Sequence, residues 1–243
     1  MGREARARHN HRVTTRLRQT LIFDADDTLW ENNVIFERVV DDFIDWLAHP
    51  THDPVTIRRI LAEIEEANIV AHGYGSQVFL RSLRDCFTRV TQRPVGATER
   101  ARFDTFAEAF SHNKVELIQG VADVLDELAL RHDLFLMTKG STAEQRRKIE
   151  VSGLDHHFRG IDIVPVKVPE TYRRIVAERE LDASRTWMIG NSPKSDIIAA
   201  RAAGLRAVFV PHPNTWAHEH AELDEFDPHL LRVGAFTELT LHF

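Results

Sequence analysis

The chain has 243 residues, 28% of them charged, and a formal net charge of −6 with histidine neutral. That length accommodates a full domain with an insertion, and the mildly acidic balance lacks the basic face a nucleic-acid partner would require. The single cysteine, Cys86, excludes an internal disulfide and a multi-cysteine zinc site, which points to a reducing, cytoplasmic setting. No apolar run reaches the length of a membrane span, so no membrane partner is expected.

Residues 1–19 are arginine-rich and acid-poor and lack the apolar segment of a secretion signal, so they read as a flexible basic extension. Leu21-Ile22-Phe23 then has the character of a strand buried on both faces, as in a parallel sheet. It delivers Asp24 and Asp26 into the following turn, where clustered carboxylates repel unless a cation or a shared proton compensates.

Beyond Trp30 the texture becomes helical, over Phe36 to Leu47, Pro54 to Val70, Val78 to Val90 and Thr98 to Phe110. Prolines 50, 54 and 94 and the turn His72-Gly73-Tyr74-Gly75-Ser76 punctuate these helices. About eighty strandless residues therefore read as an inserted helical bundle over 34–113. Tyr74, held between glycines, either presents a ring and a hydroxyl to a ligand or belongs to a plain interhelical turn. Cys86 reads as core on a helix face.

From Lys114 helices and strands alternate. Helices are expected over 115–131, 144–151, 170–180 and 195–203, and strands over 134–137, 161–166, 186–189 and 207–210. Leu239-Thr240-Leu241 is a candidate edge strand. Alternation implies an α/β core over 20–33 and 114–243, a Rossmann-like, doubly wound parallel sheet. His156-His157 falls in a turn, and adjacent histidines do not face one way on a regular element, so no histidine metal site is expected. Pro211-His212-Pro213-Asn214-Thr215-Trp216 follows the last of these strands, and Trp216 either lines the cleft or packs on the core.

Open α/β sheets bind ligands at the carboxyl ends of their strands. Asp24 and Asp26, Thr138, Lys167, and Gly190-Asn191-Ser192 with Asp196 all follow strand ends in this reading, so they should converge on one cleft. The carboxylates suit a hard divalent cation such as Mg2+. The lysine and hydroxyl suit the oxygens of a phosphoryl group.

In this order the motifs resemble those of the haloacid dehalogenase superfamily. Asp24-x-Asp26-x-Thr28 resembles the first motif, Thr138 the second, Lys167 the third and Gly190-Asn191-Ser192-x-x-x-Asp196 the fourth, with 34–113 resembling an inserted helical cap. The resemblance implies that Asp24 attacks phosphorus to form an aspartyl-phosphate, that Asp26 serves as general acid and base, and that Thr138 and Lys167 hold the phosphoryl group. Asp24, Asp26 through its backbone carbonyl, Asn191 and Asp196 would hold Mg2+; Thr28, Lys139, Gly140 and Tyr74 are candidate substrate-binding residues. Phosphatases of this type usually carry aspartate where Asn191 stands, so a weaker metal site is expected.

The expected reaction is hydrolysis of a small phosphorylated metabolite. Phosphomutase, 2-haloacid dehalogenase and a non-catalytic phosphate-binding module are the alternatives. The presence of Asp26 favours phosphate chemistry over dehalogenation, and the presence of both acids argues against a module that has lost catalysis. The sequence leaves the oligomeric state open.

Overall fold

The computed structural model describes residues 18–111 and 115–243. Six parallel strands, β1 (Thr20–Phe23), β2 (Asp133–Lys139), β3 (Gly160–Val164), β4 (Thr186–Gly190), β5 (Arg206–Phe209) and β6 (Leu230–Arg232), form one sheet in the order β3-β2-β1-β4-β5-β6. The chain reverses its winding at β1, which lies between β2 and β4, and that switch point is where doubly wound sheets open a crevice. The Rossmann-like α/β core expected from the sequence is the fold observed.

Alternate residues of β1 face opposite layers. Leu21 and Phe23 join a core under α5 (Val121–Ala129), α6 (Thr142–Ser152) and α9 (Leu239–His242). Ile22 faces the other way, toward α7 (Pro169–Glu178) and α8 (Ala199–Ala202). Both faces of the strand are dry, which explains its unbroken apolar run.

Four helices, α1 (Asn33–Leu47), α2 (Pro54–His72), α3 (Ser76–Thr91) and α4 (Ala97–Glu108), bury a separate apolar cluster of their own. Trp46 stacks on Phe87 at 5.5 Å and meets Phe103 edge-on at 5.8 Å. Cys86 lies in this cluster fully buried, and burial pushes its thiol up to about 12, so it is packing and not a nucleophile.

Several elements differ from the sequence reading. Val115–Arg131 is not one helix: helix begins at Val121, and Leu117 instead forms an antiparallel bridge with Trp30, with Ile118 N–H donating to the Leu29 carbonyl at 3.0 Å. The backbone partners offered by the turn after β1 override the local helical pattern. The stretch 195–203 is a π-turn (Pro193–Ile198) that runs into short α8. Leu239-Thr240-Leu241 is helical, and the edge strand is β6, three residues long and too short to show a period. His156 and His157 do approach each other, with ring centroids 3.9 Å apart, because a 3₁₀ turn and not a regular strand or helix carries them. The expected extension lies outside the described residues up to residue 17, as does the 113/114 junction.

Candidate active site

Asp24 follows β1 directly, and its N–H donates to the Ile189 carbonyl of β4 at 2.9 Å, so the sheet itself fixes where this carboxylate emerges. The chain then turns tightly. Asp27 adopts a left-handed φ of 60°, and its carboxylate accepts from the backbone N–H groups of Asn32 and Asn33 at 2.9 and 3.0 Å. The Asn32 side chain accepts from Lys148 at 2.7 Å and makes no capping bond to α1, so Asp27 supplies the acceptor that the helix start needs. Burial lifts the Asp27 carboxyl to about 6, against the hydrogen bond from Asn33.

Asp24 sits among groups brought from three other strand ends. Lys167, from the loop after β3, donates to Asp24 and, at 2.8 Å, to Asp196; all three are buried. Thr28 Oγ1 lies 3.0 Å from Asp24 Oδ2 and 3.1 Å from Asn191 Oδ1. Burial alone would lower the Lys167 ammonium, but Asp196 and Asp24 outweigh it and hold it above its ordinary range. Two carboxylates share that one ammonium. Burial, followed by repulsion from Asp24, lifts the Asp196 carboxyl to about 7 in spite of Lys167. Such a surplus of negative charge is where a divalent cation would relieve repulsion. The oxygens present, two carboxylates and the Asn191 amide, fit the hard-donor set that Mg2+ prefers. Asn191 Nδ2 donates to Thr215 Oγ1 at 3.0 Å, which turns its amide oxygen toward Asp24 and Thr28. Gly190 is required here because a Cβ would overlap the Asp196 carboxyl.

Asp26 is fully engaged. Lys148 donates to both its oxygens at 2.8 and 2.9 Å, Gln145 Nε2 at 2.8 Å and Trp30 Nε1 at 2.7 Å. Burial would raise this carboxyl, but the Lys148 charge and these hydrogen bonds hold it below the usual carboxylate range. Lys139 pairs with Glu219 and lies 2.9 Å from Ser195 Oγ, with Tyr74 of the helical unit 4.6 Å from its ammonium across the ring face. Trp216 meets Tyr74 edge-on at 6.2 Å, so it lines the cleft.

These groups surround a cavity of about 170 Å³ between the strand ends and α1, α2 and α3. Asp24, Asp26, Tyr74, Thr138, Lys139, Gly140, Lys167, Asn191 and Asp196 all line it. Thr28, expected to bind substrate, does not: it is buried behind Asp24 and positions that carboxylate and Asn191. Sequence reasoning missed Asp27, Gln145, Lys148 and Glu219. Lys148 and Gln145 lie three apart on α6, a spacing that faces one side of a helix, yet nothing local marks them as partners of Asp26. Among the described residues, groups of three His, Cys, Asp or Glu near enough to share an ion occur at Asp126/His156/His157 and Asp27/Glu31/His212, and neither includes Asp24 or Asp196.

The chain belongs to the haloacid dehalogenase-like hydrolases: a model of that family matches residues 19–204. It is therefore a hydrolase. It is 32% identical to a phosphoserine phosphatase of Thermus thermophilus over 91% of this chain and 97% of that protein. It is also 32% identical to the HAD-hydrolase YfnB of Bacillus subtilis over 77% of this chain and 81% of that one. A haloacid dehalogenase-like hydrolase from Xanthomonas campestris has the same fold, with a TM-score of 0.79 and 27% identity over 93% of this chain and 94% of its own. The fold is shared by the magnesium-bound YfnB structure (TM-score 0.65, 19% identity, 93% and 99% covered) and by a 2-haloacid dehalogenase of Pseudomonas syringae (0.59, 20%, 93% and 97%). Among the described residues, no helix is long and apolar enough to cross a membrane.

Proposed function

We propose that the chain is a magnesium-dependent phosphatase acting on a small phosphorylated metabolite through an Asp24 phosphoenzyme, with α1–α4 as the cap over the site. The observation that carries this reading is the buried Asp24 carboxylate, backed by Lys167 and Thr28, with a second acid, Asp26, one residue further at the mouth of the same cavity. Relatives named a phosphoserine phosphatase and a magnesium-bound hydrolase support it. The cavity, of a size that admits a benzene-scale guest, favours a compact leaving group over a nucleotide.

An oxygen of Asp24 attacks phosphorus as the bond to the leaving oxygen breaks, and Asp26 gives that oxygen a proton. Water then attacks phosphorus, passes its proton to Asp26, and inorganic phosphate departs with Asp24 restored. Held by Lys148, Asp26 is in the anionic form that the second step needs. A ligand that draws Lys148 away prepares it for the first. Thr138 and Lys167 hold the phosphoryl oxygens. Mg2+, held by Asp24, Asn191, Asp196 and the Asp26 carbonyl, would offset the charge of the phosphoryl group and the surplus carboxylates.

Turnover of an aryl phosphate should require Mg2+ and vanish in Asp24→Asn. Halide released from a 2-haloacid without metal would replace this reading with the dehalogenase one, which Asp26 disfavours because that reaction has no leaving alkoxide to protonate.

A further inference from the structure

The cavity does not end at the strand tips. It continues into the helical unit, where each of three helices turns one face toward it: Phe36 and Val40 from α1, Glu65 and Ile69 from α2, Val78 and Phe79 from α3. These walls are apolar apart from Glu65 and Ser82, whose hydroxyl donates to the Val78 carbonyl at 3.0 Å. Neighbouring Glu37 also lines the cavity, but it is paired with Arg58 at 2.9 Å. Among the described residues, Glu65 has no hydrogen-bond or ion-pair partner. Burial, with the Glu37 charge adding to it, lifts its carboxyl to about 7. A carboxyl in that state gains most from a cation brought into contact with it, because the ion pair forms where water competes poorly.

The charge balance of the whole cavity points the same way. Its described lining residues include eight carboxylates, three lysines and no arginine. Each lysine is already engaged by an acid: Lys139 by Glu219, Lys148 by Asp26, and Lys167 by Asp24 and Asp196. Acceptors are in surplus at Gln145 too, whose Oε1 is buried without a donor. A leaving group bearing a second anion would meet no free cation, whereas one bearing an ammonium would meet an unpaired carboxylate at the far end.

We propose that the cavity selects phosphate monoesters of amino alcohols, with Glu65 receiving the ammonium of the leaving group. The assignment rests on the phosphatase reading for the reacting end of the cavity and adds the specificity of the other end. It also separates the substrate from acidic esters such as phosphoglycolate, which offer a carboxylate where the protein offers Glu65. Phe36, Val40, Ile69, Val78 and Phe79 contact the carbon chain between the two charged ends.

The test uses a series of ω-aminoalkyl phosphates, each paired with the n-alkyl phosphate in which a methyl replaces the ammonium and with an ω-carboxyalkyl phosphate. At the chain length that spans the cavity, kcat/KM should favour the ammonium over the methyl by about tenfold or more, the scale of one charge-assisted hydrogen bond. The carboxylate ester should be the poorest of the three. Glu65→Gln should bring the ammonium and methyl esters within about twofold of each other, chiefly through KM, and leave aryl phosphate turnover intact. Glu66→Gln, an exposed neighbour on the same helix, should change nothing. Equal kcat/KM for ammonium and methyl esters at every length, or a preference that survives in Glu65→Gln, overturns the proposal. If no phosphate ester is hydrolysed, the phosphatase reading has failed on its own. Calorimetric binding of the same esters then decides the specificity claim: tighter binding of the ammonium ester in wild type but not in Glu65→Gln supports it, and any other pattern overturns it.

Discussion

The two ends of the cavity are built on opposite rules. At the strand ends, Asp24, Asp26, Asp196, Lys167 and Thr28 are buried or nearly so, and each has hydrogen-bond partners in the core or in the adjoining turns. In the helical unit the walls are mostly apolar, and among the described residues Glu65 is the carboxylate there without a partner. The first arrangement fixes charges in space before any ligand arrives, which is what stabilisation of a developing phosphoryl charge requires. The second leaves a polar contact open for the ligand to complete. On the proposed function, reaction and selectivity would reside in separate layers of the molecule, joined where Tyr74 meets Lys139 and Trp216.

The strongest way to break the contrast is Lys167→Met. Two buried carboxylates would lose their common cation, at a cost of about 3–5 kcal/mol, so denaturant titration should show a large loss of stability and no activity should remain. A Glu65 substitution should do neither.

Lys148→Met tests the acid/base role proposed for Asp26 at the same end. Without that charge, burial dominates and the Asp26 carboxyl rises. The alkaline limb of the kcat/KM profile, set by the protonated Asp26 that the first step needs, should move to higher pH, with kcat lowered by roughly tenfold or more. An unmoved limb would mean that Lys148 does not tune Asp26.

Asn191→Asp adds a charge beside Asp24 and Asp196 and should tighten Mg2+ binding by about tenfold in a metal titration of turnover. No change would remove Asn191 from the ligand set.

The mildest change is in the helical unit. Glu65 is held in the folded chain at about 7, above its ordinary 4.5. The folded state therefore binds more protons than the unfolded one between those values, and stability is lost as pH rises through that window. Glu65→Gln removes the penalty: its melting temperature should match wild type near pH 4.5 and exceed it by several degrees at pH 8. A constant difference across that range would show that Glu65 is not the titrating group.

How far the sequence revealed this division depends on how local each signal is. The β1 run, Asp24-x-Asp26 and the ordered strand-end residues Thr138, Lys167 and Asn191 were legible, because a parallel sheet places the residue after each strand at one edge. The partners of Asp26 were not. Lys148 and Gln145 lie on a helix more than a hundred residues away in the chain, and only the fold brings them to the turn. Glu219 arrives from a loop after β5 to meet Lys139, with no motif to announce it. Thr28 was read as a ligand contact because it stands in the acidic motif, whereas packing turned its hydroxyl inward to Asp24 and Asn191. Val115 to Gly120 have helical composition, yet backbone bonds to Leu29 and the bridge to Trp30 take them out of helix.

The central claim is that Asp24 carries the phosphoryl group during turnover. Acid quenching of the wild-type protein in the steady state with Mg2+ and aryl phosphate, followed by peptide mass spectrometry, addresses it directly. One phosphoryl group is expected on the peptide containing Asp24, discharged by hydroxylamine and missing in Asp24→Asn. Continued hydrolysis by Asp24→Asn, or a phosphoryl group on a different residue, would contradict it.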